Sequence, residues 1–562
     1  MYRNEYINGI IKYNSVIKAR NTAEYVIARL ADLGIRHYFG VADASIFSVN
    51  NSSVVRNPLL TKVQCSNELN AVYAADGYAR IKGAAILSTR YEGSEPCTLN
   101  GAMRAKRENV LIFHLVDIPA KGDWNSNETF HYPAGDNKCE QLAKLWMGAY
   151  CMSVVITPEN CVREMDRVIS EAFTMRQPVY IAIAVDDALL PLSNKNKKLR
   201  SHVELPGSDL QQLEIVTDFL VKIFQEHSVS IAFPCFNLSR YNLSEKAFKL
   251  VKKLNCPYIT TPMNKGIFDE GHRLFYGMYR GEDSDLKITK ALDKADLILD
   301  LGGTLLHELD YLGFSFSHLK ERVITFSTNY IKFQKVLFKH IYLENILDNL
   351  IDCELSACVS KLSIINKLPF LNEITPGIGI AEPITFNKAF QLINEYILRD
   401  GDALMIDNKD FLIALTKLRF KSRVEVLTSL QWQAFEWASS AAIGTLSGAS
   451  PYRVVIIINK DRFPAAVCSI FDMIKYDMKP LIILFNDQGL TKGNGLAEYS
   501  CQEFNNLCMV NFTNFIKMAS NNKWFTAKVE TIPGFIEVSE AIVKINRAVF
   551  IEIILERQVF LS

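Results

Sequence analysis

The sequence predicts an α/β protein of three domains, in each of which helices flank a sheet of parallel strands. Apolar runs of strand length alternate with amphipathic helical segments along most of the chain, and this alternation is typical of repeated βα units. The 562 residues are enough for three or four domains of about 150 residues each. Two stretches, 189–206 and 368–383, are interpreted as linkers, the first because it is rich in Asn, Lys, Ser and Pro.

The first domain is predicted to cover residues 21–188, after an N-terminal extension of residues 1–20. Its opening helix, 24–33, carries apolar side chains at helical spacing, whereas residues 178–185 read PVYIAIAV and have the composition of a buried strand. The remaining predicted elements are a helix over 67–80 and strands over 37–40, 84–88 and 110–116.

The second domain is predicted to cover residues 207–355. Its predicted strands are four short apolar runs, over 229–234, 257–261, 297–301 and 322–326. Gly302 and Gly303 follow the third of these strands, as glycines do in many nucleotide-binding turns. A lone glycine pair is weak evidence for a ligand, so we interpret it as a structural turn.

The third domain, predicted over 384–562, contains the most informative segment of the chain. An apolar strand over 454–458 runs into a turn, and a helical segment follows. A second apolar strand over 481–485 then leads into the turn 486–489, which reads NDQG. We expect the first and third domains to be related open sheets.

Composition and charge exclude several classes of function. The chain is 49% hydrophobic and 22% charged, which is typical of a protein with large buried cores. The formal net charge is +1, so there is no electrostatic basis for binding nucleic acid or a membrane surface. The 12 cysteines show no C-x-x-C spacing, and the N-terminus is too polar for a secretory signal. No apolar run reaches the ~18 residues of a membrane span, and we therefore expect a cytoplasmic protein with reduced cysteines.

Two motifs connect the chain with a known family. Residues 65–80 read CSNELNAVYAADGYAR, and residues 261–266 read TPMNKG. The first motif resembles the NELNAxYAADGYAR signature of the pyruvate and indolepyruvate decarboxylases, which use thiamine diphosphate, and the second resembles their TPMGKG. The resemblance extends from about residue 21 to 555 and implies the family's pyrimidine, middle and diphosphate domains. It also implies a homodimer or homotetramer in which Glu68 lies close to the third domain of another subunit.

The resemblance identifies 453–491 as the segment that binds metal and diphosphate, although the metal-binding side chains have changed. In the family the turn after the first strand reads GDGS, its Asp binds Mg²⁺, and an Asn follows 27 residues later. An alignment without gaps places Lys460 at this Asp and Asp487 at this Asn. Because Mg²⁺ takes oxygen ligands, an ammonium group cannot replace the carboxylate. We expect neither metal nor thiamine diphosphate to bind, and we expect Lys460 and Asp487 to form an ion pair in the metal's place.

Other positions of the expected site have changed as well. The positions that lose the cofactor-binding residues of the family are Asn459, Lys460, Asp461, Asp487 and Gly489. Of the family's five proton-handling side chains, two are retained as candidates. Glu68 matches the glutamate that bonds the aminopyrimidine ring, and His131 matches one of a pair of histidines. Ala44 stands at the catalytic Asp, with Asp43 one residue earlier, and Gly493 stands at a second Glu.

Each retained residue has a second explanation, and the function has alternatives. Glu68 could be kept for packing at the subunit interface, and a lone histidine such as His131 is more often a surface residue than an acid–base group. The substitutions favour a catalytically degenerate member of the family, acting as an oligomeric structural, regulatory or interaction protein with an unidentified protein partner. One alternative is an active 2-oxo acid decarboxylase or carboligase, with thiamine diphosphate, Mg²⁺ and an unusual metal site. Another is a cofactor-independent enzyme that uses the same cleft.

Overall fold

A computed structural model describes residues 10–12, 19–42, 57–91, 95–121, 148–192, 202–355, 382–406, 408–429, 436–448, 453–487 and 510–556. The chain divides into two compact units. The first comprises Met1–Pro206, Ser439–Ser450 and Cys468–Tyr476, and the second comprises Gly207–Ala438, Pro451–Val467 and Asp477–Ser562. No helix in the described part of the chain is long and apolar enough to cross a membrane. The cysteines of the described ranges are all free.

The first unit is built on a parallel sheet. Its strands are β1 (Ile10–Lys12), β2 (His37–Gly40), β3 (Thr61–Gln64), β4 (Ala85–Arg90), β5 (Ile112–Ile118), β6 (Met152–Ile156), β7 (Val179–Ala184) and β8 (His202–Glu204). Its helices up to residue 206 are α1 (Thr22–Asp32), α2 (Glu68–Lys82), α3 (Leu99–Arg107), α4 (Cys161–Met175) and α5 (Val185–Leu189). Six strands form the parallel sheet in the order β3-β2-β4-β5-β7-β6, and β1 pairs with β8 in a separate antiparallel ribbon. Every residue of β5 and β7 is buried, as expected for strands covered on both faces.

The second unit contains two sheets. The strands of the middle sheet are β9 (Ser230–Pro234), β10 (Tyr258–Thr260), β11 (Phe275–Met278), β12 (Leu297–Leu301), β13 (Val323–Phe326), β14 (Tyr330–Phe333) and β15 (Val336–Lys339). The remaining strands are β16 (Ala403–Ile406), β17 (Glu425–Thr428), β18 (Val454–Asn459), β19 (Leu481–Asn486), β20 (Phe525–Val529) and β21 (Val549–Ile554). The middle sheet has the order β11-β10-β9-β12-β13-β14-β15, and the third sheet has the order β17-β16-β18-β19-β21-β20.

Helices accompany both sheets of the second unit. Those of the middle sheet are α6 (Leu210–Glu226), α7 (Asn237–Arg240), α8 (Ser244–Lys253), α9 (Leu286–Lys294), α10 (Leu305–Leu312) and α11 (Leu343–Asp352). The helices that follow are α12 (Phe386–Leu392), α13 (Lys409–Thr416), α14 (Trp437–Gly448), α15 (Phe463–Lys475), α16 (Phe512–Ala519) and α17 (Ile532–Val543). Most of α14 and of α15 belongs to the first unit.

The first and third sheets have the same topology. In both, the six strands lie in the order second, first, third, fourth, sixth, fifth, counted along the chain. The prediction that these two domains are related open sheets is therefore confirmed, as is the α/β fold class. The middle sheet differs from the prediction at one edge, where β14 and β15 pair antiparallel. The predicted linkers lie largely outside the described residues, so the domain boundaries stay predictions.

Helix α2, which carries the family signature, is positioned by its ends and by two glycines. The side chain of Asn67 caps its N-terminus by accepting a hydrogen bond from the backbone of Asn70 at 2.8 Å. Within the first unit, a Cβ on Gly77 would lie 2.0 Å from the carbonyl oxygen of Ala441 in α14. A Cβ on Gly444 would lie 1.7 Å from the backbone oxygen of Ala74. The two helices therefore pack backbone against backbone, which only glycine permits.

Candidate functional site

Lys460 and Asp487 lie side by side at the carboxyl ends of two neighbouring strands. Strand β18 is buried over Val454–Ile458 and pairs in parallel with β19, with Asn459 opposite Phe485. Parallel strands end at the same edge of a sheet, so the residues that follow them meet there. The Nζ atom of Lys460 is 2.8 Å from Oδ1 of Asp487, and the predicted ion pair is confirmed.

The two partners of this ion pair are buried to different degrees. The side chain of Lys460 is 1% exposed, whereas that of Asp487 is 25% exposed. The contact does not have hydrogen-bond geometry, and the Lys460 ammonium group has no hydrogen-bond acceptor among the described residues. Partial burial and the nearby Asp487 carboxylate raise the pKa of the Asp461 carboxyl above its ordinary value.

The ion pair borders the place where an open α/β sheet usually binds ligands. Strands β16 and β18 are neighbours, and the chain continues from β16 to β17 on one side and from β18 to β19 on the other. Ligands of such sheets bind outside the carboxyl ends of the strands, where the direction of the connections changes. Lys460 stands at this edge, immediately after β18.

The residues of this turn differ in how well they suit a diphosphate and a divalent metal. Lys460 and Arg462 supply positive charge directly before α15, whose N-terminus favours anions. These cations and the helix N-terminus favour a diphosphate group, whereas the carboxylates of Asp461 and Asp487 oppose one. Lys460 cannot be a metal ligand, and the oxygen donors beside it are the carboxylates of Asp461 and Asp487. Among the described residues, no group of three or more His, Cys, Asp or Glu could hold a metal ion.

The other sequence-predicted site residues are placed only in part. Glu68 is half-buried and begins α2 in the first unit, where a carboxylate is favourable at the positive end of the helix. Asn459 is half-buried at the end of β18. His131 and Gly489 lie outside the described residues, as do Asp43, Ala44 and Gly493. The roles assigned to Glu68 and His131 therefore stay predictions.

Sequence reasoning missed a buried polar cluster at the carboxyl ends of the middle-sheet strands. The Glu308 carboxyl, on α10, accepts a hydrogen bond from Thr261 Oγ1 at 3.1 Å and further bonds from Asn264 and Thr304. Burial raises its pKa to about 8. The neighbouring Asp300 accepts a hydrogen bond from the thiol of a cysteine, and burial raises the pKa of this carboxyl to about 6.

Of the residues in this cluster, only Asn264 could have been singled out from the sequence. Position 264 holds Asn where the resembled family has Gly. The glycine pair beside the cluster supports the interpretation as a structural turn, because a Cβ on Gly303 would lie 2.7 Å from the Cα of Ser327.

A second buried cluster in the first unit also escaped prediction. The ring of His114 lies 2.7 Å from Thr89 Oγ1 and 2.6 Å from the hydroxyl of Tyr150. Burial lowers the pKa of His114 to about 3, so this histidine is neutral near pH 7. It is a packed core residue, consistent with its place in the middle of β5.

Two segments of the chain match described domain families. Residues 20–132 match "Thiamine pyrophosphate enzyme, N-terminal TPP binding domain", and residues 237–344 match "Thiamine pyrophosphate enzyme, central domain". In solved structures, the fold is similar to that of an enzyme assigned to the thiamin diphosphate-dependent class from Mycobacterium smegmatis, with a TM-score of 0.72. That match has 14% identity and covers 95% of this chain and 99% of the other.

Curated relatives are similar over most of the chain. Pyruvate decarboxylase isozyme 2 of Saccharomyces cerevisiae is 26% identical over 481 residues, which cover 83% of each protein. Pyruvate decarboxylase of Hanseniaspora uvarum is 24% identical over 473 residues, again with 83% of each covered. The thiamine metabolism regulatory protein THI3 of S. cerevisiae is 24% identical over 538 residues, which cover 91% of this chain and 85% of that protein.

The expectation that the protein uses no cofactor is wrong. Residues 20–132 match a domain family that is described as binding thiamine pyrophosphate, and this match contradicts the expectation. The expectation rested on several changed positions, among them Lys460 and Asp461. Changed residues in this part of the site do not by themselves decide whether a large cofactor binds, because contacts elsewhere in a pocket also contribute to binding.

Proposed function

Because the chain belongs to the thiamine pyrophosphate-dependent, pyruvate decarboxylase-like family, we propose that it binds thiamine diphosphate and acts as a regulatory protein rather than as a decarboxylase. The cofactor, when bound in this family, supplies the carbanion-stabilising chemistry of decarboxylation. In the proposed role the chain binds thiamine diphosphate but does not catalyse decarboxylation.

One observation carries this proposal, the buried ion pair between Lys460 and Asp487. It places a cation where the resemblance expects a metal-binding carboxylate, at the edge of the sheet that suits a diphosphate. The sequence adds that Ala44 and Gly493 stand at two positions where the family keeps proton-handling carboxylates. Loss of such groups lowers the reaction rate by factors of roughly 10²–10⁴ each, and it need not abolish binding.

The curated relatives include both roles. The match to the thiamine metabolism regulatory protein covers 91% of this chain and supports the regulatory role. The pyruvate decarboxylases favour the second candidate, an active 2-oxo acid decarboxylase or carboligase, and Glu68 is its best support. The cofactor-independent enzyme has no support from the domain matches.

Binding and turnover distinguish the two candidates. Full-length protein is titrated with thiamine diphosphate by isothermal calorimetry, with Mg²⁺ present. Release of CO₂ from pyruvate and indolepyruvate is measured in the same buffer, with pyruvate decarboxylase isozyme 2 of S. cerevisiae as the positive control. We expect binding at micromolar concentration and no CO₂ above the rate without protein. Turnover near that of the control would overturn the regulatory role, and absence of binding would overturn the proposal as a whole.

We propose that the protein is a homodimer or homotetramer in the cytoplasm, with Glu68 close to the third domain of another subunit. The support is the match of residues 65–80 to the family signature. Light scattering after size-exclusion chromatography measures the mass directly, and a stable monomer of 63.6 kDa at micromolar concentration would contradict this assembly.

A further inference from the structure

Lys460 is a buried cation whose hydrogen-bonding capacity is not filled by the described residues. Its ammonium group has three N–H donors and forms an ion pair with Oδ1 of Asp487 at 2.8 Å, but it makes no hydrogen bond to a described residue. A buried ammonium group with unfilled donors is unfavourable unless an acceptor is supplied. The Lys460 ammonium group can therefore donate hydrogen bonds to a second anionic group.

The surroundings of Lys460 indicate what kind of group this is. The residue stands at the carboxyl end of β18, beside the change in connection direction of the third sheet. It also lies shortly before α15, which is 13 residues long and begins at Phe463, with Asp461 and Arg462 between them. Both the strand edge and the helix N-terminus favour an anion such as a phosphate.

Asp487 would compete with such an anion for the ammonium group, and its exposure makes the exchange feasible. At 25% exposure, its side chain reaches solvent, so water can solvate the carboxylate when the ammonium group contacts another partner. The Lys460 side chain, at 1% exposure, has no access to water, so its charge must be balanced either by Asp487 or by a bound anion. The Asp487 carboxylate can therefore balance the charge of Lys460 in the absence of ligand and be replaced by a phosphate group when the ligand binds.

We infer that Lys460 determines the preference of this chain for the diphosphate form of its ligand, by exchanging contact with Asp487 for contact with a phosphate oxygen. The inference rests on the proposed binding of thiamine diphosphate. It concerns residues of this chain that differ from the resembled family, in which a carboxylate and an amide occupy the two positions.

Calorimetric titration of the full-length protein with thiamine diphosphate and with thiamine tests the inference. Lys460→Met should weaken binding of thiamine diphosphate by roughly 10- to 100-fold, the usual effect of losing a hydrogen bond to a charged group, and leave thiamine binding unchanged. Lys460→Arg should keep most of the affinity. Lys479→Met is the matched control, because Lys479 lies just before the opposite end of the same sheet and bonds Asn546 at the surface.

A double variant that places a carboxylate at 460 and an amide at 487 gives a second readout. Lys460→Asp combined with Asp487→Asn introduces the oxygen ligands of the resembled family, so Mg²⁺ should tighten thiamine diphosphate binding by a larger factor than in the unaltered chain. Circular dichroism checks folding, and Lys460→Gln replaces Lys460→Met if that variant does not fold. If the unaltered chain does not bind thiamine diphosphate, the proposed function fails. If it binds and Lys460→Met stays within about twofold, or loses thiamine equally, the inference alone fails.

Discussion

Removing either partner of the Lys460–Asp487 pair should have unequal effects on stability. Asp487→Leu leaves the ammonium group of Lys460, at 1% exposure, without a counterion, and the cost should be about 3 kcal/mol. Lys460→Met leaves a carboxylate at 25% exposure that water can solvate, and this change should cost about 1 kcal/mol or less. The double variant removes both charges and should cost about 1 kcal/mol, well below the sum of the two changes.

Urea unfolding measures this cycle, followed by tryptophan fluorescence, to which Trp524, 5% exposed in the same unit, contributes. The surface pair between Lys246 and Glu344 is a matched control. Its N–O distance is also 2.8 Å, but its side chains are 34% and 52% exposed, so its coupling energy should stay below about 1 kcal/mol. Additive effects at Lys460 and Asp487, or equal costs for the two single variants, would refute the role of burial in this reasoning.

Two further predictions concern the middle sheet and its neighbourhood. Lys265, whose Nζ atom lies 2.9 Å from both Glu270 carboxylate oxygens and 2.8 Å from the Leu418 carbonyl, is fully buried, so Lys265→Met should lower the unfolding free energy by about 3–5 kcal/mol in urea. A loss below about 1 kcal/mol would contradict this. Glu308 has a folded-state pKa of about 8, against 4.5 for an ordinary glutamate, so its contribution to stability is full below pH 4.5 and is lost as the pH rises to 8. Glu308→Gln should remove a slope of up to about 1.4 kcal/mol per pH unit from that window, and thermal unfolding with an unchanged pH dependence would argue against it.

The strand–turn–strand segment of the third domain shows how much could be predicted from the sequence. The strands 454–458 and 481–485 could be predicted because unbroken apolar runs of this length are typical of buried parallel strands. Each predicted strand ends one residue before the observed one. The resemblance then placed Lys460 and Asp487 at two positions that meet at one metal ion in the family, and their opposite charges favoured an ion pair there. The resemblance also predicted the relation between the first and third sheets.

Other features could not be predicted because they depend on residues distant in sequence. The unequal burial of Lys460 and Asp487 follows from the packing around the sheet edge. It cannot be predicted from the pattern of residues along β18 or β19. The raised pKa of Glu308 follows from burial and from the nearby Asp300 carboxylate, whose effects outweigh the hydrogen bonds from Thr261, Asn264 and Thr304 that lower it. Burial is set by the packing of other elements around α10 and cannot be read from the local sequence. The antiparallel hairpin β14–β15 has short, partly exposed strands whose pattern did not indicate a direction of pairing.

Local apolar periodicity was therefore enough to predict the elements and the fold class, and the resemblance to a known family predicted the meeting of the two charged residues. Periodicity repeats over a few residues and is written directly into the chain, so it can be recognised without coordinates. The energetic consequence of each charge depends on how much water reaches it, and this exposure is set by side chains that approach from other elements. That is why the ion pair was foreseen, whereas its asymmetry and the buried carboxyl of Glu308 emerged from the folded arrangement.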